Sequence, residues 1–425
     1  MVILNIINLL LSKDSGVNMI RNIWSFLFII FMLLNFSIGF SQEEKPKVKT
    51  FYDEKGRIAR QELDNNRDGK TDAWFYYVDG KLERQEEDKD GDGKPDIWTY
   101  YLNEKIDKQE VDTNFDGYPE LWFFLDNKGN LSRKWKDSNK DRKVDIWTYY
   151  EDGRIVKQEG DIDFDGKKDL ILHYKNERLV KREEDTKKRG KIDLWSYFEN
   201  EKLVKEEQDI NSDGRIDKIY FYENEKLVSS HEDTNNDGKI DLWSYYRDGK
   251  LLRREADTKG DGHKDIKSFY EDSKLKRVEE GIDLSGRPRI VYHYQDGELV
   301  RQEEDRNRDG NIDNILLYEK EKLVTRHFDS DNDGKIDVWY TYNKGKIAKI
   351  EEDTNKDGKA DILSYYQEEK LTKQEGDTNY DGRIDVWSYY KDGKIERQEE
   401  DTNYDGKIDI RFFYKNGKLI REERG

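Results

Sequence analysis

The 425-residue chain contains no cysteine, only five histidines and one long hydrophobic run. Without cysteine, neither a disulfide framework nor a lipid-modified cysteine is available. The histidines are scattered along the chain and no nucleophile motif accompanies them, so we expect no enzyme. A zinc site shared by His231 and His327 is the one alternative that histidine offers. The five are His173, His231, His263, His293 and His327.

The hydrophobic run lies near the N-terminus. Residues 23–36 are uncharged and follow a single arginine, and small residues precede a cleavage point after Ser41. This predicts a secretory signal peptide over residues 1–41, with Met19 as an alternative start. An uncleaved anchor is the alternative, because the stretch to Phe40 is just long enough to span a bilayer. We expect an exported protein of the periplasm, cell surface or medium, with no membrane span once the signal is removed.

The charge balance is acidic. Asp and Glu number 95 against 77 Lys and Arg, which gives a formal net charge of −18. The acids are concentrated in short loops, and the basic residues lie between the loops. Because no basic face is left uncompensated, nucleic acid is not an expected partner.

A nine-residue acidic pattern, Asp-x-Asn-x-Asp-Gly-x-x-Asp, recurs about every 24 residues from Asp64 to Asp409. Numbering each repeat from the first residue of the pattern makes positions 1–9 the loop. Ca²⁺ needs six to eight oxygens, which short acidic side chains at positions 1, 3, 5 and 9 and the carbonyl at position 7 can supply, while glycine at position 6 permits the sharp turn. We predict a short linker over residues 42–47 and one repeat array over residues 48–425, with fifteen such loops.

Eleven of the fifteen loops carry an acid or amide at positions 1 and 3, Asp at 5, Gly at 6 and an acid at 9. Asx-rich turns also use these residues, but so many copies in one register favour calcium, with about eleven ions in all. The predicted metal ligands are Asp64, Asn66, Asp68, Asp72, Asp88, Asp90, Asp92, Asp96, Asp112, Asn114, Asp116, Glu120, Asp161, Asp163, Asp165, Asp169, Asp209, Asn211, Asp213, Asp217, Asp233, Asn235, Asp237, Asp241, Asp305, Asn307, Asp309, Asp313, Asp329, Asp331, Asp333, Asp337, Asp353, Asn355, Asp357, Asp361, Asp377, Asn379, Asp381, Asp385, Asp401, Asn403, Asp405 and Asp409.

Four loops depart from the pattern and are left out of the predicted set. In one of them Arg142 replaces the glycine, and in another Lys259 stands at position 3. A third has Lys187 and Arg189 at positions 3 and 5, and the last lacks the acids at positions 1, 5 and 9. A cation or a missing acid removes both a ligand and its charge, so the last two are predicted not to bind metal. These loops begin at Asp137, Asp257, Asp185 and Gly281 respectively.

Between loops the sequence predicts a β-hairpin. Aromatic and aliphatic residues lie on both sides of Asp248-Gly249, which fits two strands joined by a type I′ turn. Too few residues separate the loop from this turn for a helix, which excludes an EF-hand. An unbroken ladder would pair Tyr246 with Leu251, Ser244 with Arg253 and Leu242 with Glu255, and would place Trp243, Tyr245, Leu252 and Arg254 on the opposite face.

The predicted fold is all-β, with 24-residue hairpin repeats forming a long twisted antiparallel meander. Tryptophan recurs at position 11 of alternate hairpins, which suggests a 48-residue unit of four strands. The alternative is therefore a β-propeller of about eight four-stranded blades. The aromatic columns are interpreted as the core of a thin sheet.

The loops resemble the Asp-x-Asp-x-Asp-Gly-x-x-Asp calcium loops of the FG-GAP and thrombospondin type 3 families, in which positions 1, 3, 5 and 9 are ligands. The hairpins resemble MORN and YD repeats through Tyr-x-Asp-Gly-Lys-Leu at residues 77–82 and Tyr-Asp-Glu-Lys-Gly-Arg-Ile at residues 52–58. These resemblances imply a secreted or surface interaction protein.

The expected function is that of a calcium-stiffened binding or adhesion module. Its repetitive face favours avidity for a repetitive extracellular ligand such as a glycan or matrix protein. A passive spacer or scaffold is the main alternative, and a propeller-type glycan-active enzyme is a further one. Calcium would take the place of disulfides in holding the exported chain together.

Overall fold

A computed structural model describes residues 46–425, and the predicted signal peptide lies outside them. These residues form β-strands and turns, and none of them forms a helix able to cross a membrane. The strands are β1 (Lys47–Tyr52), β2 (Ile58–Asp64), β3 (Ala73–Val78), β4 (Lys81–Glu87), β5 (Ile97–Leu102), β6 (Lys105–Val111), β7 (Leu121–Leu125), β8 (Leu131–Lys136), β9 (Ile146–Glu151), β10 (Arg154–Gly160), β11 (Leu170–Lys175), β12 (Arg178–Glu184), β13 (Leu194–Glu199), β14 (Lys202–Gln208), β15 (Lys218–Glu223), β16 (Lys226–Glu232), β17 (Leu242–Arg247), β18 (Lys250–Ala256), β19 (Ile266–Glu271), β20 (Lys274–Glu280), β21 (Ile290–Gln295), β22 (Glu298–Glu304), β23 (Asn314–Glu319), β24 (Lys322–Phe328), β25 (Val338–Asn343), β26 (Lys346–Glu352), β27 (Ile362–Gln367), β28 (Lys370–Gly376), β29 (Val386–Lys391), β30 (Lys394–Glu400), β31 (Ile410–Lys415) and β32 (Lys418–Arg424).

The described residues form two compact units, one that ends at Glu104 and holds β1–β5 and one over Lys105–Gly425 that holds β6–β32. Within each unit, strands pair antiparallel with their neighbours in sequence. Among the described strands, the first and last of a unit do not pair with each other, so each unit is an open meander. The predicted all-β meander is confirmed, and the propeller alternative is wrong, because the pairing repeats every 24 residues without closing into blades.

Fourteen of the sixteen described hairpin turns have the predicted type I′ geometry, whereas the longer turns between β1 and β2 and between β7 and β8 have positive φ only at Gly56 and Gly129. Asp248 and Gly249 both have positive φ, 50° and 78°, which matches the twist of the flanking strands. In seven turns a residue with a side chain replaces the glycine while keeping the left-handed φ. These residues are Glu104, Glu177, Glu201, Glu225, Ser273, Glu321 and Glu369.

A β-bulge follows each turn whose strand pairing is described, and it changes the predicted register. Tyr246 pairs with Leu251 as expected, but Tyr245 pairs with Arg253, so Leu252 is the extra residue. Beyond the bulge, the partners of Ser244 and Leu242 shift by one residue, to Arg254 and Ala256. The predicted pairs with Arg253 and Glu255 are therefore wrong, and these two residues lie on the same face as Trp243.

The sheet has a tryptophan face, with positions 11 and 13, and a serine face, with positions 10, 12 and 14. On the serine face, Ser244 and Ser230 are each only 1% exposed. Six of the seven Ser or Thr side chains at position 12 are buried, with larger residues at positions 10 and 14 on the same face. In the described chain eight apolar side chains are fully buried, against forty polar or charged ones, so most of the fully buried side chains need hydrogen-bond partners.

The tryptophan face carries a repeated polar network. The Tyr245 hydroxyl donates to Glu255 at 3.2 Å, and Lys264 donates to the same carboxylate at 2.6 Å. The Lys264 ammonium lies 4.3 Å from the Trp243 ring centre, and the Arg253 guanidinium lies 4.4 Å from that of Tyr245. Cations therefore cover the aromatic rings of this repeat.

Candidate metal centres in the acidic loops

Each acidic loop leads from the second strand of one hairpin to the first strand of the next. Its ends are closed by backbone hydrogen bonds, as where the Asp241 N–H donates to the Glu232 carbonyl at 2.9 Å. The Asp257 N–H, which opens the following loop, donates to the Asp241 carbonyl at 2.9 Å. Successive loops are thus tied to one another through position 9.

Acidic side chains organise the loop backbone. In the loop at Asp233, that carboxylate accepts the Gly238 N–H at 2.7 Å. The Asn235 side-chain oxygen accepts the Asp237 N–H, and the Asp237 carboxylate accepts the Lys239 N–H, each at 2.9 Å. The second oxygen of Asp233 accepts the Asp237 N–H at 3.3 Å, so the side chains at positions 1, 3 and 5 fix the backbone of the turn.

Position 2 supplies an anchor that the sequence prediction missed. The Thr234 hydroxyl donates to the position 9 carboxylate of Asp241 at 2.8 Å. Nine loops have Ser or Thr at this position, and all nine hydroxyls make this bond. The recurrence of Ser and Thr after the first Asp was the available signal in the sequence. The anchors are Thr113, Ser138, Thr186, Thr234, Thr258, Ser330, Thr354, Thr378 and Thr402.

Five groups of three carboxylates converge, with ligand oxygens within 4.8 Å of one another. Four belong to predicted loops, including all three that have Asp at position 3. The other seven predicted loops have Asn at that position, whose amide oxygen is a further candidate ligand. The converging groups are Asp88, Asp90 and Asp96; Asp112, Asp116 and Glu120; Asp137, Asp141 and Asp145; Asp161, Asp163 and Asp169; and Asp329, Asp331 and Asp333.

The fifth group shows that the loop at Asp137 keeps the shared geometry despite lacking glycine. Arg142 adopts the left-handed conformation, with φ of 74°, and its N–H donates to Asp137 at 2.7 Å as glycine does elsewhere. Excluding this loop for want of glycine was therefore unjustified on geometric grounds. The surrounding hydrogen bonds hold the arginine in a conformation that it does not favour on its own.

Positions 1 and 9 are the buried part of the site. In the loop at Asp305, the two carboxylates are 7% and 0% exposed. One oxygen of Asp305 accepts the Gly310 N–H at 2.9 Å, and one of Asp313 accepts the Arg306 N–H at 2.6 Å. The other oxygen of each is buried and has no hydrogen-bond partner in the described chain. Unpartnered buried carboxylate oxygens fit a cation, because nothing else offsets their loss of water.

In two of the loops that have Asp at position 3, the position 9 carboxylate has a raised pKa. Burial, together with the charges of Asp90 and Asp88, raises the pKa of Asp96. Burial also raises the pKa of Asp169, where Asp163 and Asp161 are the neighbouring charges. These position 9 carboxylates therefore favour either a proton or a cation as a partner.

The histidines are not gathered into a site. His173 and His293 take the place of tyrosine at position 13, with Nε2 2.7 Å and 3.1 Å from Glu183 and Glu303 respectively. His231 and His327 lie on β16 and β24, and none of the converging ligand groups of residues 46–425 includes a histidine. The zinc alternative therefore has no support in the described chain.

No family model matches the chain, and no curated protein matches it. Solved structures similar to it include "Crystal Structure of TcdB2-TccC3", the same without its hypervariable C-terminal region, and TcdB2-TccC3-TEV. Identities are 12%, 11% and 11%, over 90%, 88% and 87% of this chain. The chain spans 28%, 30% and 29% of those chains, with a TM-score of 0.16 each. Similarity this low carries no argument about fold or function.

Proposed function

We propose that this is an exported or surface-exposed calcium-binding repeat protein whose eleven predicted loops each take one Ca²⁺. The observation that carries the proposal is the pair of buried, unpartnered carboxylate oxygens in the loop at Asp305. Asp305 and Asp313 would hold the ion from positions 1 and 9, with Asn307 and Asp309 completing the side-chain ligands. Calcium is the favoured ion, because the loops offer only oxygen ligands and several of them.

Calcium would supply charge compensation that the metal-free loops lack. Eleven divalent ions would more than offset the formal net charge of −18. At a dissociation constant of about 0.1 mM, calcium at about 1 mM stabilises the fold by roughly 1.4 kcal/mol per site. Eleven such sites add on the order of 15 kcal/mol, comparable to the stability of a whole domain. We propose that the chain is loose at low calcium and stiffens after export.

The test is calorimetric calcium titration of the purified protein, with far-UV circular dichroism of the same samples. We expect about eleven ions to bind, one for each predicted loop, with a gain of β-sheet signal. Asp313→Asn should remove one ion, whereas Asp296→Asn, at an exposed hairpin turn, should leave the stoichiometry unchanged. No heat of binding at millimolar calcium, or a spectrum identical in chelator and calcium, would refute the proposal.

The proposed role is binding rather than catalysis, with a glycan or matrix protein as the extracellular ligand. Four aromatic side chains at position 4 of their loops are about half exposed and support this role. They are Phe115, Phe164, Tyr380 and Tyr404. Co-sedimentation with insoluble polysaccharides, using Tyr380→Ser/Tyr404→Ser as the comparison, tests it. Binding that the double variant does not weaken would rule out these aromatics as the contact.

A passive scaffold is the second candidate. It is favoured by the cations that cover the rings of Trp243 and Tyr245 on the tryptophan face. Rings stacked under lysine and arginine are unavailable as platforms for a ligand. A protein that binds calcium yet retains none of a broad panel of glycans and matrix proteins would be a scaffold.

A further inference from the structure

Two of the irregular loops hold a lysine ammonium near the buried position 9 carboxylate. Lys187 Nζ lies 3.7 Å from Asp193 Oδ2, and Lys259 Nζ lies 3.7 Å from Asp265 Oδ2. In both loops the lysine occupies position 3, where predicted calcium loops have Asp or Asn. A cation is therefore present beside the carboxylate without any metal.

The loop at Asp257 is otherwise folded as a calcium loop. Its position 1 carboxylate accepts the Gly262 N–H at 2.6 Å, and Asp261 accepts the His263 N–H at 2.9 Å. The Thr258 hydroxyl donates to Asp265 at 2.8 Å. Position 3 is thus the one ligand position that differs from the pattern.

The loop at Asp185 also places a lysine near its position 9 carboxylate, and this lysine is more buried than Lys259. Asp193 is 5% exposed, and its Oδ2 has no hydrogen-bond partner, just as Asp313 Oδ1 has none. Here, however, the Lys187 ammonium faces that oxygen. The same ammonium donates to the carbonyls of Asp209 and Ile210 at 3.1 Å and 2.6 Å, which ties this loop to the next.

We propose that Lys187 and Lys259 are tethered counter-ions that replace Ca²⁺, so that these two loops stay folded without calcium. This inference rests on the proposed calcium function of the other loops. Although burial opposes it, hydrogen bonds from backbone N–H groups lower the pKa of Asp185 and Asp257, as expected for carboxylates kept charged without metal.

The irregular loop at Gly281 also has contacts that could keep it folded without calcium, but they differ from those of the other two loops. In the loop at Gly281, Asp283 accepts the N–H groups of Ser285 and Arg287 at 2.9 Å and 3.0 Å, and Ile282 is buried. Arg287 Nε lies 3.7 Å from Asp283 Oδ2, so a side-chain cation is present in this loop as well. Three loops that would stay folded without calcium thus fall within residues 185–289, and two predicted calcium loops lie between the first and the second of them.

A gain-of-site substitution tests the proposal. Lys259→Asn restores every side-chain ligand of the pattern, so it should raise the calcium stoichiometry by one ion. Lys259→Met removes the charge without adding a ligand and should not. Lys187→Asn should add no ion, because Arg189 still occupies position 5, whereas Lys187→Asn/Arg189→Asp should add one. A stoichiometry unchanged by both Lys259→Asn and the double substitution would overturn the proposal.

Hydrogen exchange in chelator provides a readout that does not depend on calcium binding. The Gly190 and Gly262 amides should stay protected there, while those of Gly238 and Gly310 exchange quickly. Lys187→Met should speed exchange at Gly190 by about tenfold or more, whereas Lys274→Met, at an exposed turn, should leave it unchanged. Equal exchange at all four glycines in the unsubstituted protein would overturn the tethered-cation role. Absence of calcium binding with Gly190 and Gly262 still protected would instead overturn only the proposed function.

Discussion

At the residue scale, the unusual property of this chain is that its buried side chains are mostly polar, so each one depends on its own partner. Ser244 and Ser364 occupy position 12 in different repeats and are 1% and 4% exposed. The Ser364 hydroxyl accepts a hydrogen bond from Gln374 at 3.0 Å, whereas that of Ser244 has no partner in the described chain. Serine at position 12 is therefore expected to stabilise one repeat and to destabilise another.

We predict that Ser244→Ala leaves stability unchanged or raises it by up to about 1 kcal/mol, because it removes an unsatisfied buried hydroxyl. Ser364→Ala should instead lower stability by about 1 kcal/mol, because Gln374 loses its acceptor. Thermal denaturation of the two variants, in the same calcium concentration, measures the contrast. If both substitutions lowered the stability by the same amount, the prediction would be wrong.

The convergence of acidic side chains within a loop was predictable, because carboxylates at fixed spacing in a short turn are brought close together. The sequence did not predict that Arg142 could replace glycine, since the energy that holds φ at 74° comes from the surrounding loop. Nor did it predict the position 2 hydroxyls, although their recurrence was visible. The tethered lysines were interpreted only as lost ligands, because their distance from a carboxylate is a property of the folded loop.

At the scale of the hairpin, strand positions and turn type followed from the alternation of aromatic residues around Asp-Gly, but the register did not. The bulge at Leu252 is invisible to periodicity, because a run such as Leu251-Leu252 offers an apolar residue to either face. Its effect is to bring Arg253 and Glu255 onto the face of Trp243. The polar network of that face therefore depends on one unpaired residue in each hairpin.

The presence or absence of glycine at the second turn residue should affect the stability of a hairpin. Glu225 has φ of 65° where Gly249 of the next hairpin has 78°. Glu225→Gly should raise stability by about 1 kcal/mol, because a left-handed residue with a side chain is strained. Gly249→Glu should lower it by a similar amount. Urea denaturation of each variant is the measurement, and changes of the same sign in both would show that factors other than φ decide.

At the scale of the whole molecule, partly buried tyrosines set an alkaline limit to stability. Burial raises the pKa of Tyr174 to about 12, and burial with a hydrogen bond to Glu207 raises that of Tyr197 to about 12. The folded state thus holds these protons more tightly than the unfolded state, whose tyrosines titrate near pH 10. Their contribution to stability is complete below about pH 10 and is lost as the pH rises through 12.

We therefore expect β-sheet circular dichroism to be constant up to about pH 10 and to fall between about pH 10 and 12, together with tyrosinate absorbance. Tyr197→Phe should shift the midpoint upward, because one of the ionising groups is gone. Tyr52→Phe, at a largely exposed tyrosine, is the matched control and should leave the midpoint unchanged. Tyrosinate absorbance that rises fully before the sheet signal changes would contradict the linkage.

Pairing confined to sequence neighbours has a mechanical consequence. A strand at the end of an open meander is held by one neighbour, so tension on the chain peels hydrogen bonds one after another instead of loading them together. Each released repeat adds about 80 Å of slack, from 24 residues at about 3.3 Å or more each. Under a pulling load such an array would lengthen in steps and dissipate mechanical work at each step. Any ion or lysine that stabilises a loop would set the force needed to release the next repeat.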